Sequence, residues 1–302
     1  MITLFFSVLL LVSFFSMGVY SFFYEKLDII FLLILTISVL ILINLTWYSS
    51  LISILFLIMP IVFFKRLTYL QLTYFCMFGS ILMAYFLLQY FLIYDVPFMF
   101  AIVILSVLLM CVLAIMGIFE DDLKKYLIYS NAIQLIFVLL DLGVAKLSQK
   151  ITTLGTIQIF NYTIAGLLFF ITLGILSRDN RAKKISNLGG SYYDDKSNGD
   201  FAIISAISLA GLPGLNIFVS EWFLFKTAFI INPIITVFGI FVALLLFIMY
   251  FKVVNLLLVG KIGNERKPMK LLTYMNAFFA FLCLIFGLIP QTQLYILNMV
   301  LG

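Results

Sequence analysis

Long apolar runs, separated by short clusters of charged and turn-forming residues, fill this chain from end to end. A helix needs roughly 20 apolar residues to cross a hydrocarbon core. On that criterion the pattern predicts ten spans, near 2–23, 29–47, 50–64, 67–93, 97–119, 123–144, 151–177, 201–231, 234–258 and 270–289. The third is short and carries Pro60. The eighth is long and interrupted by Gly211-Leu212-Pro213-Gly214. The stretch 178–200 reads as the longest polar loop. The first run lacks the basic n-region and small-residue cleavage site of a signal peptide, and further spans follow it.

Composition narrows the class. The 302 residues are 65% hydrophobic and 10% charged, with a mean hydropathy of +1.24. Soluble domains are about 45–50% apolar and about 25% charged, so a water-soluble domain, a disordered chain and a disulfide scaffold are all excluded. An all-α polytopic membrane protein remains. There is no histidine, which removes bis-histidine haem, the usual copper sites and histidine acid–base chemistry. Cys76, Cys111 and Cys283 stand singly in apolar runs and give neither a metal spacing nor a disulfide framework. The net charge of +5 is spread along the chain, which argues against a nucleic-acid partner.

The basic residues orient the spans. With the N-terminus outside, Lys26, Lys65 and Arg66, Lys124 and Lys125, and the clusters within 178–196 and 261–270 all face inside. These make up most of the 18 basic residues. Such a bias is what the positive-inside rule expects of a correct span count, and it places both termini outside. Pro60 and Pro213 fall in spans three and eight. Five spans is an odd separation, so two five-span units would have opposite topology. Inverted repeats with interrupted helices at matching positions mark secondary transporters; two independent proline kinks are the alternative.

Charged groups within spans are costly and call for a reason. Glu221 follows the Gly-Leu-Pro-Gly interruption by seven residues. A carboxylate beside a helix break can carry a proton; the alternative is a carboxylate held permanently by a lysine. Lys226, five residues on, is rotated off the Glu221 face and is placed to snorkel outward. Lys252, six residues from the inner end of span nine, can snorkel or join a relay. Asp141 lies close to the outer end of span six and reads as interfacial. Gln134 and Asn161 lie deep in spans six and seven, where amides bridge helices or hold water. Asp122 suits a helix N-terminus; Lys124 and Lys125, early in the same helix, gain nothing from that field.

Two of these segments resemble a known family. Asp122-Leu-Lys-Lys-Tyr-Leu-Ile-Tyr-Ser130 is similar to the D-L-K-R-x-x-A-Y-S segment of the proton-pumping membrane subunits of respiratory complex I, which are related to multisubunit cation/proton antiporters. Ser208-Leu-Ala-Gly-Leu-Pro-Gly-Leu-Asn216, with Phe218-Val-Ser-Glu221, resembles their S-L-A-G-x-P-P-L-x-G-F-x-x-K/E. The basic loop from Arg178 to Gly189 and Tyr250-Phe-Lys-Val-Val254 look most like subunit 2. The likeness covers roughly residues 97–260.

The resemblance implies two inverted five-helix repeats with broken helices near Pro60 and Pro213. Residues 1–93 would form a degenerate first repeat, 97–258 the second, 270–289 a final helix and 178–200 a polar inner loop. The family's core has four further helices, lost or supplied by a separate polypeptide. The resemblance further implies a subunit of proton-pumping NADH:ubiquinone oxidoreductase, organelle-encoded and multi-pass in the mitochondrial inner membrane, with both termini on the intermembrane-space side. No cofactor would bind in this chain; NADH, FMN, iron–sulfur clusters and ubiquinone would bind in other subunits. Its partners would be other membrane subunits and phospholipids. Glu221 would relay protons, with Lys252 or Lys226 modulating it. Departures bear on mechanism: the first repeat lacks the family's mid-membrane glutamate and lysines, Gln134 stands where several relatives have histidine, and Glu221 where subunit 2 usually has lysine. The competing readings are a non-pumping scaffold and one subunit of a cation/proton antiporter.

Overall fold

Apolar sequence that must satisfy its own backbone hydrogen bonds in lipid folds as helices, and helices make up the whole framework here. A computed structural model describes residues 2–24, 46–94, 98–148, 151–177, 184–260 and 270–301. In chain order these form α1 (Ile2–Tyr24), α2 (Thr46–Phe63), α3 (Tyr69–Ile93), α4 (Met99–Phe119), α5 (Leu123–Leu147), α6 (Ile151–Leu176), α7 (Ser191–Asp194), α8 (Lys196–Leu209), α9 (Asn216–Ile231), α10 (Pro233–Leu258), α11 (Lys270–Leu288) and α12 (Pro290–Leu301). Among the described residues, six helices are long and apolar enough to cross a membrane: α3, α4, α5, α6, α10 and α11.

Several segments differ from the pattern reading. The predicted span 29–47 lies outside the described residues except for its last two, which begin α2. Pro60 does not break a helix: α2 runs through it to Phe63. It sits where only the final turn must give up a hydrogen bond. The eighth span is two helices, α8 and α9, and the first of them starts inside the polar loop at Lys196. Beyond α11, Pro290 opens α12, whose buried Gln293 turns back to the Phe286 carbonyl at 3.3 Å.

The bundle is centred on α6, which packs against α3, α5, α8, α9 and α11 and is almost wholly buried. This explains why its apolar residues are not confined to one face. In contrast, α4 and α10 turn broad apolar faces outward, through Leu105, Leu108 and Val112 and through Val237, Phe241 and Leu244. Two lysines fix the register of α5 against α3. Lys124 Nζ donates to the Leu67 carbonyl at 2.7 Å near one end, and Lys146 Nζ to the Phe91 carbonyl at 3.0 Å near the other. The end holding Asp121, Lys124 and Lys184 is called the basic-loop end below.

At that end residues 184–188 are latched onto the α4–α5 turn. Ile185 N–H donates to the Asp121 carbonyl at 2.7 Å. The Asp121 carboxylate accepts from Ser186 N–H at 3.0 Å and Ser186 Oγ at 3.1 Å, with Lys184 Nζ 3.8 Å away. Burial alone would raise the Asp121 carboxyl, but the two Ser186 hydrogen bonds and the Lys184 charge outweigh it and hold the group below its ordinary value. Asp122 caps α5, accepting from Lys124 N–H at 2.9 Å and Lys125 N–H at 3.1 Å.

The interruption between α8 and α9 has a complete local explanation. Gly211 N–H donates to Ser208 O at 2.9 Å and Leu212 N–H to Ile207 O at 3.2 Å, the paired bonds of a Schellman stop. The stop requires the left-handed conformation that Gly211 supplies at φ +71°. Pro213 then prevents the helix from resuming. Helix α11 crosses this break closely enough that a Cβ on Gly287 would overlap the Gly214 carbonyl and the Leu215 backbone.

Two outcomes follow. Gly287→Ala should lower stability by about 1–3 kcal/mol, the usual range for overpacking, whereas Gly18→Ala, whose Cβ would enter open space, should not; thermal unfolding in detergent compares them. For the latch, a lowered folded-state pKa means that Asp121 contributes stability above the ordinary carboxylate value and loses it as pH falls through the folded value. Because these groups are partly exposed, the loss should be at most about 1 kcal/mol. Protease nicking around Ser186 should therefore rise as the pH falls below about 4, the ordinary carboxylate value. In Asp121→Asn it should already be raised at neutral pH and change little on acidification.

Candidate functional site

The half-length helix α9 begins inside the bundle and carries Glu221 on its second turn. Side chains on a helix lean toward its N-terminus, and this tilt sends the Glu221 carboxylate back against the break. A methyl group at Gly211 would coincide with it, so the glycine serves both the turn and the carboxylate. Glu221 is buried, and its Oε1 has no hydrogen-bond partner within the protein. Among the described residues it forms no ion pair.

A run of buried polar side chains adjoins it. Asn216 ties the two half-helices to α6: Ser208 Oγ donates to its Oδ1 at 2.5 Å, and its Nδ2 donates to the Asn161 carbonyl at 3.0 Å. On α5, Asn131 Oδ1 accepts from Tyr162 Oη at 2.5 Å and Ser80 Oγ at 2.8 Å. The Tyr250 hydroxyl of α10 lies 2.8 Å from Ser130 Oγ, beside Gln134 and within the field of Glu221. Gln158 Nε2 donates to Gln134 Oε1 at 3.0 Å. The side-chain oxygen and nitrogen of Asn161 have no partner within the protein although the residue is fully buried. Polar groups are buried at such cost only where something repays it.

Asp141 departs from its sequence reading. It is only 1% exposed, neither oxygen has a partner among the described residues, and its helix α5 packs against α9, which carries Glu221. Its position near the end of α5 suggested an interface; that end is instead enclosed by α3, α4 and α6.

The lysines are not brought to Glu221. Lys252 Nζ donates to the carbonyls of Ile118 at 3.0 Å and Glu120 at 2.6 Å, the C-terminal end of α4, where a cation suits the helix dipole. Lys226 is exposed on α9. Lys124 reaches the Leu67 carbonyl, and Lys125 stands 3.9 Å from Glu120 and 5.5 Å from the Phe64 ring centre. The sequence reading passed over Ser130, Asn131, Gln158, Ser208, Asn216 and Tyr250. Of these, Ser130, Ser208, Asn216 and Tyr250 lie in the segments that carried the family resemblance, which was the available signal. Among the described residues, no group of three or more His, Cys, Asp or Glu side chains could hold a metal ion.

Comparison with known proteins gives the frame for this arrangement. The family described as "NADH:quinone oxidoreductase/Mrp antiporter, TM" matches residues 75–248. A probable K(+)/H(+) antiporter component of Rhizobium meliloti is 31% identical over 129 residues, 41% of this chain and 12% of that protein. NADH-quinone oxidoreductase subunit N of Hirschia baltica is 26% identical over 136 residues, 45% of this chain and 28% of that protein. The chain thus matches well under half the length of these relatives. A chain of the Mrp complex from Dietzia sp. DQ12-45-1b shares the fold, with a TM-score of 0.65 at 14% identity, covering 97% of this chain and 64% of that one. The family match spans more than half of the chain and contains the break, Glu221 and, apart from Tyr250, the polar run beside them, so the protein belongs to the NADH:quinone oxidoreductase/Mrp antiporter membrane family.

Proposed function

We propose that this chain is a core membrane-arm subunit of a proton-pumping NADH:ubiquinone oxidoreductase, resembling subunit 2, in a mitochondrial inner membrane. Its role is to couple electron transfer in neighbouring subunits to proton movement across the bilayer. The single observation that carries this reading is Glu221: a buried carboxylate without a cationic partner among the described residues, pressed against a helix break in the middle of the bundle. With no cation to fix it as a carboxylate, a proton can reside there and leave again. The chain holds no cofactor in this reading. NADH, FMN, iron–sulfur clusters and ubiquinone belong to other subunits, which are its partners together with phospholipids.

The same reading takes ten spans, with the basic loops on the matrix side and both termini on the intermembrane-space side. It also takes two inverted repeats, 1–93 and 97–258, followed by the helix 270–289. The break at Pro213 supports the second repeat. The continuous α2 at Pro60 agrees with a first repeat that has lost its transport machinery. Glu221 is the relay group. Lys252 anchors α10 to the end of α4, and its part in the relay, like that of Lys226, is indirect.

A second reading, membership of a cation/proton antiporter, is favoured by the likeness to the K(+)/H(+) antiporter component. A third, a scaffold that keeps the fold without pumping, is favoured by the uncharged spans of the first repeat. In the reconstituted complex, Glu221→Gln should slow proton translocation roughly ten-fold or more, the scale of a lost acid–base group, at unchanged complex content. Unchanged pumping would remove Glu221 from the path; a fall in complex content alone would favour the scaffold. The antiporter reading predicts that vesicles carrying the protein exchange K+ or Na+ for protons with no NADH oxidised. The present reading expects no such exchange.

A further inference from the structure

Glu221 has neighbours on two sides along the bundle axis. On the side nearer the basic-loop end is Tyr250, bonded to Ser130. Toward the other end is Asp141, on α5, which packs against the Glu221 helix α9. Ser130 and Asp141 lie on the same helix, eleven residues apart, which at the helical rise is about 16 Å along the axis. From Asp141 to the last residue of α5 is a further six residues, about 9 Å. Glu221 therefore stands between a hydroxyl pair toward one surface and a second carboxyl toward the other.

Asp141 has no structural duty that would explain its burial. Among the described residues, neither of its oxygens caps a helix, pairs with a cation or accepts a hydrogen bond. The amides and hydroxyls elsewhere in the bundle at least bridge helices. The facing groups on the packed elements are Glu221 on α9 and the neutral side chains of α3, α4 and α6. Lys146, on α5 itself, is directed to the Phe91 carbonyl. Two buried carboxylates without a counter-ion cannot both be charged at acceptable cost, so the pair holds a proton between its members.

We propose that Asp141 is the second carboxyl of the proton path, receiving the proton that Glu221 releases toward the end of the bundle opposite the basic loops. The proposal rests on Glu221 being a proton carrier. In the step, the O–H bond of the Glu221 carboxylic acid breaks and one forms on the Asp141 carboxylate. Glu221 is left as the carboxylate, and the pair keeps a single negative charge during this transfer. Glu221 is then reprotonated from the Tyr250 side, which leaves the pair neutral, and Asp141 loses its proton to water beyond the Leu147 end of α5, which restores the starting state. Reprotonating Glu221 before Asp141 discharges avoids ever burying two negative charges.

The test uses the intact membrane complex in proteoliposomes, with Glu221→Gln, Asp141→Asn and Asp141→Glu. Asp141→Asn should lower proton translocation about ten-fold or more at normal complex content, matching Glu221→Gln, and Asp141→Glu should restore most of it. If Glu221→Gln stops translocation and Asp141→Asn does not, the inference fails while the relay reading stands. If Glu221→Gln has no effect, the relay reading fails and takes the inference with it. Should Asp141→Asn not assemble, infrared difference spectra of the wild-type complex labelled with 13C-aspartate decide the question. A protonated aspartate band should gain intensity as a protonated glutamate band loses it during turnover, and absence of any aspartate signal overturns the proposal.

Discussion

A helix that stops halfway across a bilayer exposes the carbonyls of one half and the N–H groups of the next, with no water from the lipid to satisfy them. The segment from Ser208 to Asn216 meets this constraint with its own atoms. The Schellman bonds from Gly211 and Leu212 consume two of the free carbonyls of α8. Asn216 accepts from Ser208 and donates to the Asn161 carbonyl, holding both half-helices to α6. The backbone of α11 at Gly287 closes over the break from the other side. Only with these contacts in place can the chain turn inside the bundle, and only because it turns there does Glu221 reach the centre from the second turn of a helix.

The same constraint sorts the charged groups. Lys124, Lys146 and Lys252 each spend an ammonium on backbone carbonyls at helix ends, so their charge is balanced locally and contributes to register. Glu221 and Asp141 have no such balance. A cation beside either acid would fix it permanently as a carboxylate and end its use as a carrier. Keeping the lysines at the helix ends is therefore what the proposed exchange of a proton between the two acids requires.

Much of this was legible in the residues, and the misreadings share a cause. Gly211-Leu-Pro-Gly214 announces a stop by its own chemistry, and Glu221 is conspicuous as an acid in an apolar run. Asp141 was placed correctly along its helix, near one end, but height along a helix says nothing about which neighbours enclose it. Lys252 had two equally good directions until the end of α4 was known to lie beside it. Gly287 gave no sign at all, because a glycine in an apolar helix looks alike whether it faces lipid or another backbone. Pro60 and Pro213 looked equivalent as letters. Pro213 follows a left-handed glycine and ends a helix, whereas Pro60 has no such glycine before it and the helix passes through.

The uncharged spans of the first half gain a meaning from this comparison. A path needs carriers spaced so that each lies within reach of the next, and the described polar groups that meet this condition lie on α5, α6, α8, α9 and α10, around one break. The packing of α1 and α3 against α6 gives that cluster a rigid wall, with Asn131 reaching across to Ser80 of α3 as a buried tie. A wall has no need of ionisable groups, and each one removed from it saves a desolvation cost. The division of labour in the proposed mechanism then follows from energetics: one half of the chain holds shape in the bilayer, and the other retains the few costly groups that a proton path would need.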